Sequence, residues 1–145
     1  DVLYACDAKW WGWHKGAPKF AGLKYTLQAN AAAKWPGVQL LRNTGAEGLE
    51  LRPDGVRTGQ NSGYQAINLA VHLGAARILL LGYDMQGTHY FGHHPDRSGP
   101  PFALCLARFK TLAAPLKAKG IDIFNCSRTT ALTAFPRRPL EEALP

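Results

Sequence analysis

The clearest pattern of hydrophobic and polar positions lies in residues 59–95. Apolar residues recur there at intervals of three and four, which predicts an amphipathic helix that Ser62 can cap and Gly74 can end. An unbroken apolar run at 77–81 follows, which predicts a strand covered on both faces, as in a parallel sheet. Ligands bind beyond the carboxyl ends of such strands, so we expect residues 82–96 at a ligand-binding edge. The inward residues of the helix would be Tyr64, Ile67, Ala70, Val71 and Leu73.

The rest of the chain predicts alternating strands and helices. Residues 103–119 predict a helix that Pro115 kinks or splits, with Leu104, Ala107, Leu112 and Leu116 inward. Residues 44–59 are rich in glycine and predict a loop or a small hairpin. The fold class is therefore α/β, a single Rossmann-like domain over 1–145 with a mostly parallel sheet flanked by helices. Further strands are expected at 2–6, 20–27, 38–42 and 121–124, and helices at 28–35 and in the tail 134–145.

Composition narrows the class of protein. The chain has 145 residues, of which 46% are hydrophobic and 19% charged, as in an ordinary globular domain. Its net charge of +7 comes from scattered Lys and Arg, which form no run typical of a nucleic-acid site, and attraction to an anionic ligand such as a nucleotide sugar is equally compatible with this charge. No apolar run is long enough to span a bilayer. Cys6, Cys105 and Cys126 show no metal-ligand spacing and are expected as buried thiols.

Polar residues follow several of the predicted strands. Asp7 follows the first strand, Asp84 follows the apolar run, and Asn125 and Ser127 follow the last strand. Residues 61–63, Asn-Ser-Gly, lie at a helix start, where amide hydrogens and partial positive charge suit a phosphate or a carboxylate. We therefore expect these groups at one edge of the sheet.

The loop after the apolar run is rich in histidine. His89, His93 and His94 lie near Asp84 and Asp96 in the sequence. A histidine with an ordinary pKa near ~6.5 suits a general base that takes a proton from a hydroxyl group. A zinc site is a weaker alternative because the HxxxHH spacing matches no recurrent ligand pattern. Ordinary loop histidines remain a third interpretation.

Several segments resemble one enzyme family. The segment QNSGYQAINLAVHLGAARILLLGYDMQ resembles the SG-helix-LG-strand-GID segment of the bacterial sialyltransferases of glycosyltransferase family 42, and THYFGHHP resembles their HYxGH segment. DVLYACD is similar to a strand of that family that ends in Cys-Asn, and GIDIFNCS takes the place of its last core strand. Related phage-borne and bacterial proteins share this pattern.

The resemblance implies metal-independent transfer of a sugar, sialic acid being one candidate, from a cytidine-nucleotide donor to an acceptor hydroxyl. His93 would be the catalytic general base, with Tyr90 beside it. No cofactor and no metal would be required, since the nucleotide sugar is a co-substrate. The partners would be this donor and a glycan acceptor, with a homo-oligomer left open. The location would be cytoplasmic, or virion-associated if a phage encodes the chain.

The resemblance also implies a set of substrate-binding residues. Those at the helix start would hold the donor carboxylate or phosphate, and the others would lie near the ribose and the nucleotide. Two of them differ from the family, because Asp7 stands where the family has Asn and Gln86 replaces a tyrosine that supports the leaving phosphate. The substrate-binding set is Asn61, Ser62, Gly63, Asp84, Gln86, Tyr90, Asp7, Asn125 and Ser127.

Other departures from the family leave a second function open. The family's opening strand and GxGPS nucleotide loop do not occur in residues 1–145, consistent with a lost N-terminal segment, and the lid is reduced to Gly87-Thr88. A non-catalytic, phage-associated structural or binding module with the same fold is therefore the alternative. A metal-dependent hydrolase that uses His89, His93 and Asp84 is a weaker alternative.

Overall fold

The computed structural model describes residues 1–87 and 102–144 of the chain. Short strands and helices follow one another along these residues, as the sequence predicts. In chain order the elements are β1 (Val2–Tyr4), α1 (Ala8–Trp13), β2 (Leu23–Thr26), α2 (Ala29–Lys34), β3 (Val38–Leu40), β4 (Arg42–Asn43), β5 (Gly55–Val56), α3 (Ser62–His72), β6 (Arg77–Leu80), α4 (Phe102–Ala118), β7 (Asp122–Asn125) and α5 (Leu140–Ala143).

All strand pairs within the described residues are parallel. β1, β2 and β3 form one sheet in that order, β4 pairs with β5, and β6 pairs with β7. In the last pair Ile78 lies opposite Ile123 and Leu80 lies opposite Asn125. The α/β class and the parallel pairing are thus confirmed, whereas the more specific Rossmann-like arrangement remains a prediction.

Helix α3 packs against β6 and α4 in the main core. Tyr64 and Ile67 are buried as predicted, but Leu73 is 48% exposed. The cap is Asn61 rather than Ser62, which is the first helical residue, so the predicted cap was wrong by one position. An Asn at this position accepts amide hydrogens of the first turn through its side-chain oxygen. Gly74, with a φ of +84°, follows the helix as predicted.

Helix α4 is continuous through Pro115, so the predicted split is wrong. Its buried face also differs from the prediction, since Leu104 and Ala107 are exposed. Phe109 lies inward instead, where its ring packs at 5.5 Å from that of Tyr64. A large aromatic side chain gains more from burial than an alanine, so it sets the orientation of the helix. The buried residues are Cys105, Phe109, Leu112 and Leu116.

The segment between β4 and α3 is ordered by one buried side chain. β5 lies in this segment and pairs in parallel with β4, so the predicted hairpin is wrong. Asn68 of α3 is fully buried, and its Oδ1 accepts hydrogen bonds from Glu50 N at 3.0 Å and Arg57 N at 3.1 Å. Its Nδ2 donates to Glu50 O at 2.9 Å. The segment is therefore held against α3 by Asn68, in addition to the local hydrogen bonds of Asn43 and Glu50 within it.

Strand β6 is less covered than its apolar run predicts. Ile78 and Leu80 are buried, but Leu81, just beyond the strand, is 59% exposed. Full burial of the whole run was therefore a wrong prediction.

Within the described residues no helix is both long and apolar enough to cross a membrane.

Candidate functional site

The carboxyl end of β1 is tied to the start of α3. Tyr4 donates its hydroxyl hydrogen to Gln65 Oε1 at 2.6 Å, and Gln65 Nε2 donates to Thr58 O at 2.8 Å. Just beyond β1, Cys6 Sγ lies 2.9 Å from Ser62 Oγ. Burial, with a smaller effect of Cys6, raises the pKa of Tyr4 well above its ordinary value, so its hydroxyl stays a neutral donor. The fold therefore brings together the end of β1 and the start of α3, two regions that are predicted to bind the nucleotide sugar.

The start of α3 offers fewer free amides than its sequence suggests. Asn61 Oδ1 accepts hydrogen bonds from Gly63 N at 2.8 Å and Tyr64 N at 3.2 Å. The cap thus uses two of the amide hydrogens that a helix start leaves unpaired. Ser62 is exposed and Asn61 is half-buried. The amides of Gly63 and Tyr64 are therefore occupied by the cap, and the exposed Ser62 hydroxyl lies beside Cys6.

Tyr83 joins the start of α3 to the carboxyl ends of β6 and β7. Its hydroxyl donates to Gly63 O at 3.0 Å, and its backbone N donates to Ser127 Oγ at 2.8 Å. A Cβ at position 63 would lie 2.7 Å from the Tyr83 ring, so this close approach requires glycine. Burial raises the pKa of Tyr83 to about 12, which keeps the phenol neutral. Tyr83 therefore fixes the start of α3 relative to the ends of β6 and β7, and it was not among the predicted site residues.

Asn125 holds the loop that follows β7. It is fully buried, and its Oδ1 accepts from Ser127 N at 3.0 Å. Its Nδ2 donates to Thr130 Oγ1 at 3.0 Å and lies 3.4 Å from Tyr83 O. Ser127 is 5% exposed, with its hydroxyl at the edge of the sheet. Asn125 is therefore committed to protein partners, while Ser127 lines the cleft next to it.

A cleft of about 1030 Å³ opens at the carboxyl ends of β6 and β7. Arg138 N donates to Asn125 O at 3.1 Å, so the C-terminal segment lies along the outer edge of β7. This segment forms the opposite wall of the cleft. This position agrees with the rule that ligand sites of parallel sheets lie beyond the carboxyl ends of the strands. Its lining includes Leu81, Asp84, Ser127, Arg128, Arg137, Arg138, Leu140 and Glu141.

The predicted site residues divide into three groups. Ser62, Asn61 and Gly63 lie at the start of α3, close to the end of β1, where Asp7 is exposed. Asp84 and Ser127 line the cleft, Asn125 lies beneath its loop, and Gln86 is exposed just beyond Asp84. His93 and Tyr90, together with His89 and Asp96, lie outside the described residues.

Sequence reasoning did not select the cleft arginines Arg128, Arg137 and Arg138. The Arg137-Arg138 pair and the position of Arg128 just after a strand end were the only signals available. Their relevance depends on the C-terminal segment pairing with β7, which no local pattern predicts.

Clusters of metal-ligating side chains were sought in residues 1–87 and 102–144. In these ranges no group of three or more His, Cys, Asp and Glu side chains is placed to hold a metal ion. The candidate zinc ligands His89, His93 and Asp96 lie outside those ranges.

Comparison of the chain with protein-family models, with curated proteins and with solved structures found no match.

Proposed function

We propose that the chain is a sialyltransferase-like glycosyltransferase. It transfers a sugar, with sialic acid as one candidate, from a cytidine-nucleotide donor to an acceptor hydroxyl without a metal ion. The donor lies across the carboxyl ends of the parallel strands, and the glycan acceptor approaches from solvent. The Rossmann-like arrangement of the strands belongs to the same proposal.

One observation carries the proposal, namely the convergence of three chain segments at one edge. The contact of Cys6 with Ser62 brings the end of β1 to the start of α3, and the hydrogen bond from Tyr83 to Gly63 brings the end of β6 to the same helix start. Two of the segments that resemble the family, DVLYACD and the NSG…GYD block, thus meet here, whereas the HYxGH segment lies outside the described residues. Parallel strands place ligand-binding loops at this edge, and the neutral hydroxyl and backbone N–H groups there can donate hydrogen bonds to an anionic nucleotide sugar.

The proposed sugar transfer requires a general base for the acceptor hydroxyl and hydrogen-bond donors for the leaving nucleotide. His93 takes the proton from the acceptor hydroxyl, because an imidazole with an ordinary pKa accepts a proton near neutral pH. The resemblance implies that Tyr90 lies beside His93. The bond between the sugar carbon and the phosphate oxygen breaks as the acceptor oxygen attacks, and the nucleotide leaves as an anion. Hydrogen-bond donors at Ser62 and at the strand ends stabilise the charge on its phosphate.

Replacement of His93 tests the catalytic step. In the full-length gene product, His93→Ala should abolish release of CMP from CMP-N-acetylneuraminic acid in the presence of lactose, while CMP binding and Tm stay nearly unchanged. His14→Ala is the matched control, since His14 is exposed and stacks on Trp10 of α1 at 4.2 Å. It should retain full transfer. Unchanged transfer in His93→Ala would remove the proposed mechanism, and loss of transfer on addition of EDTA would remove its metal independence.

Calorimetry separates the enzyme from a non-catalytic structural module. The enzyme should bind CMP with a Kd between roughly 1 μM and 1 mM, the usual range for substrates. A full-length protein that binds neither CMP nor the nucleotide sugar would favour the structural or binding module.

A further inference from the structure

The arginines of the described residues fall into two groups according to their partners. Five of them lie within 4 Å of a carboxylate oxygen, and these pairs are dispersed over the surface away from the cleft. The pairs are Arg42 with Asp54, Arg52 and Arg57 with Glu50, Arg77 with Asp122, and Arg108 with Glu47.

The remaining arginines of residues 1–87 and 102–144 are Arg128, Arg137 and Arg138, and all three line the cleft at the ends of β6 and β7. None of them forms an ion pair within the described part of the chain, although Asp84 and Glu141 line the same cleft. The lining of the cleft therefore includes three arginines and two carboxylates. The unpaired positive charge is concentrated where a ligand of a parallel sheet would lie.

Two of these guanidinium groups are held in place by contacts that leave their charge available. Arg137 Nε donates to Ser127 O at 3.3 Å, and its Nη2 donates to Arg128 O. The guanidinium of Arg138 lies 4.2 Å from the centre of the Phe124 ring. Arginine carries five N–H donors, so donors remain on both groups after these contacts. Positioned donors lose less entropy on binding than free side chains do.

We propose that this cleft binds a phosphate group carried by an organic ligand. Arginine recognises phosphate with paired N–H donors. Arg138, which its contact with Phe124 positions, and the exposed Arg128 supply them here, while Arg137 is bound to the loop carbonyl groups. Ser127 adds a hydroxyl at the same wall, while Leu81 and Leu140 offer apolar surface to the organic part of the ligand. The volume of the cleft, about 1030 Å³, accommodates a molecule the size of a nucleotide. The choice of a nucleotide as ligand rests on the proposed function, and the inference adds these arginines to the groups that meet its phosphate. Sugar transfer itself is not required.

The experiment titrates the full chain with CMP, cytidine and inorganic phosphate in a calorimeter. We expect CMP and phosphate to bind and cytidine to bind at least tenfold more weakly than CMP. Because a hydrogen bond to a charged group is strong, Arg128→Gln and Arg138→Gln should each weaken binding of CMP and phosphate by roughly tenfold or more. Arg42→Gln is the matched control, since it removes the same charge from an exposed pair outside the cleft, and its affinities should equal those of the wild type.

The titrations distinguish a phosphate ester from free phosphate as the ligand, and they also include the results that would contradict the proposal. Tighter binding of CMP than of phosphate identifies an ester, and tighter binding of phosphate identifies the free ion, which would contradict an organic ligand. Binding of cytidine as tight as that of CMP, or no binding of CMP, would overturn the proposal. Equal losses in Arg42→Gln and Arg128→Gln would also overturn it, because net charge alone would then explain binding. If transfer fails while CMP binding still depends on Arg128 and Arg138, the cleft stands and only the glycosyltransferase is rejected.

Discussion

Gly63→Ala tests the contact that joins the start of α3 to the end of β6. A Cβ at this position would lie 2.7 Å from Cε1 and 2.9 Å from Cζ of the Tyr83 ring. The ring is packed against Phe109 of α4 at a centroid distance of 6.0 Å, so it has little freedom to withdraw. The substitution should therefore force apart the two segments that form the candidate site.

The expected sign opposes simple helix propensity. Alanine in place of glycine favours a helix by about 1 kcal/mol. Overpacking costs about 1–3 kcal/mol, and loss of the hydrogen bond from Tyr83 to Gly63 adds about 1 kcal/mol. We therefore expect the free energy of unfolding of Gly63→Ala to fall by about 1–3 kcal/mol in total.

Urea denaturation of a double-mutant cycle measures this effect. Tyr83→Ala removes the ring, and Gly63→Ala in that background should be neutral or stabilising. The coupling energy between the two positions should be about 2 kcal/mol. Gly12→Ala in α1 is the matched control, because no atom lies within 4 Å of its added Cβ. It reports propensity alone and should raise the free energy of unfolding.

A result of the opposite kind would refute the reasoning. If Gly63→Ala stabilises the wild-type chain as Gly12→Ala does, the Tyr83 ring does not press on α3. Equal effects of Gly63→Ala with and without the Tyr83 ring would lead to the same conclusion.

Two further predictions concern the segment between β4 and α3. Asn68→Ala should lower the free energy of unfolding by about 3 kcal/mol, because it leaves three buried backbone groups without their partner. The control Asn30→Ala, on the exposed side of α2, should change the free energy of unfolding by less than about 0.5 kcal/mol. Similar losses for the two variants in chemical denaturation would contradict the role of Asn68. The hydrogen bond from the Arg52 side chain, followed by that from its backbone N–H, lowers the pKa of Glu50 from 4.5 to about 2. A carboxyl group whose pKa is lower in the folded state stabilises that state at pH values above its pKa in the unfolded state. The contribution of Glu50 to the free energy of unfolding should therefore be present above about pH 4.5 and be lost as the pH falls towards about 2. Glu50→Gln should then weaken the dependence of stability on pH between about 5 and 3, and identical slopes for the variant and the wild type would argue against it.

Local patterns predicted the elements well where one segment determines its own structure. The spacing of Tyr64 and Ile67 identified α3, and the left-handed Gly74 identified its end. Burial of Asn68 was not predictable, because its partners Glu50 and Arg57 come from a segment without periodicity. The orientation of a helix or a two-residue strand likewise depends on partners distant in sequence.

The candidate site shows the same division. The proximity of Ser127 to the residues after β6 followed from the rule for parallel strands, whereas β1 belongs to a separate sheet. The occupation of two amides by Asn61 did not follow, since cap geometry decides which oxygen takes them. The exposure of Leu104 in α4 shows that apolar character alone does not define an inward face.

The most direct test of the account is heteronuclear NMR mapping of CMP binding to the full chain. Binding across the carboxyl edge should shift the amide signals of Cys6, Ser62 and Ser127 and leave those at the opposite ends of the strands, near Arg77 and Asp122, unchanged. Shifts confined to the region of Arg77 and Asp122, or no shifts at saturating CMP, would contradict the central claim that this edge binds a nucleotide.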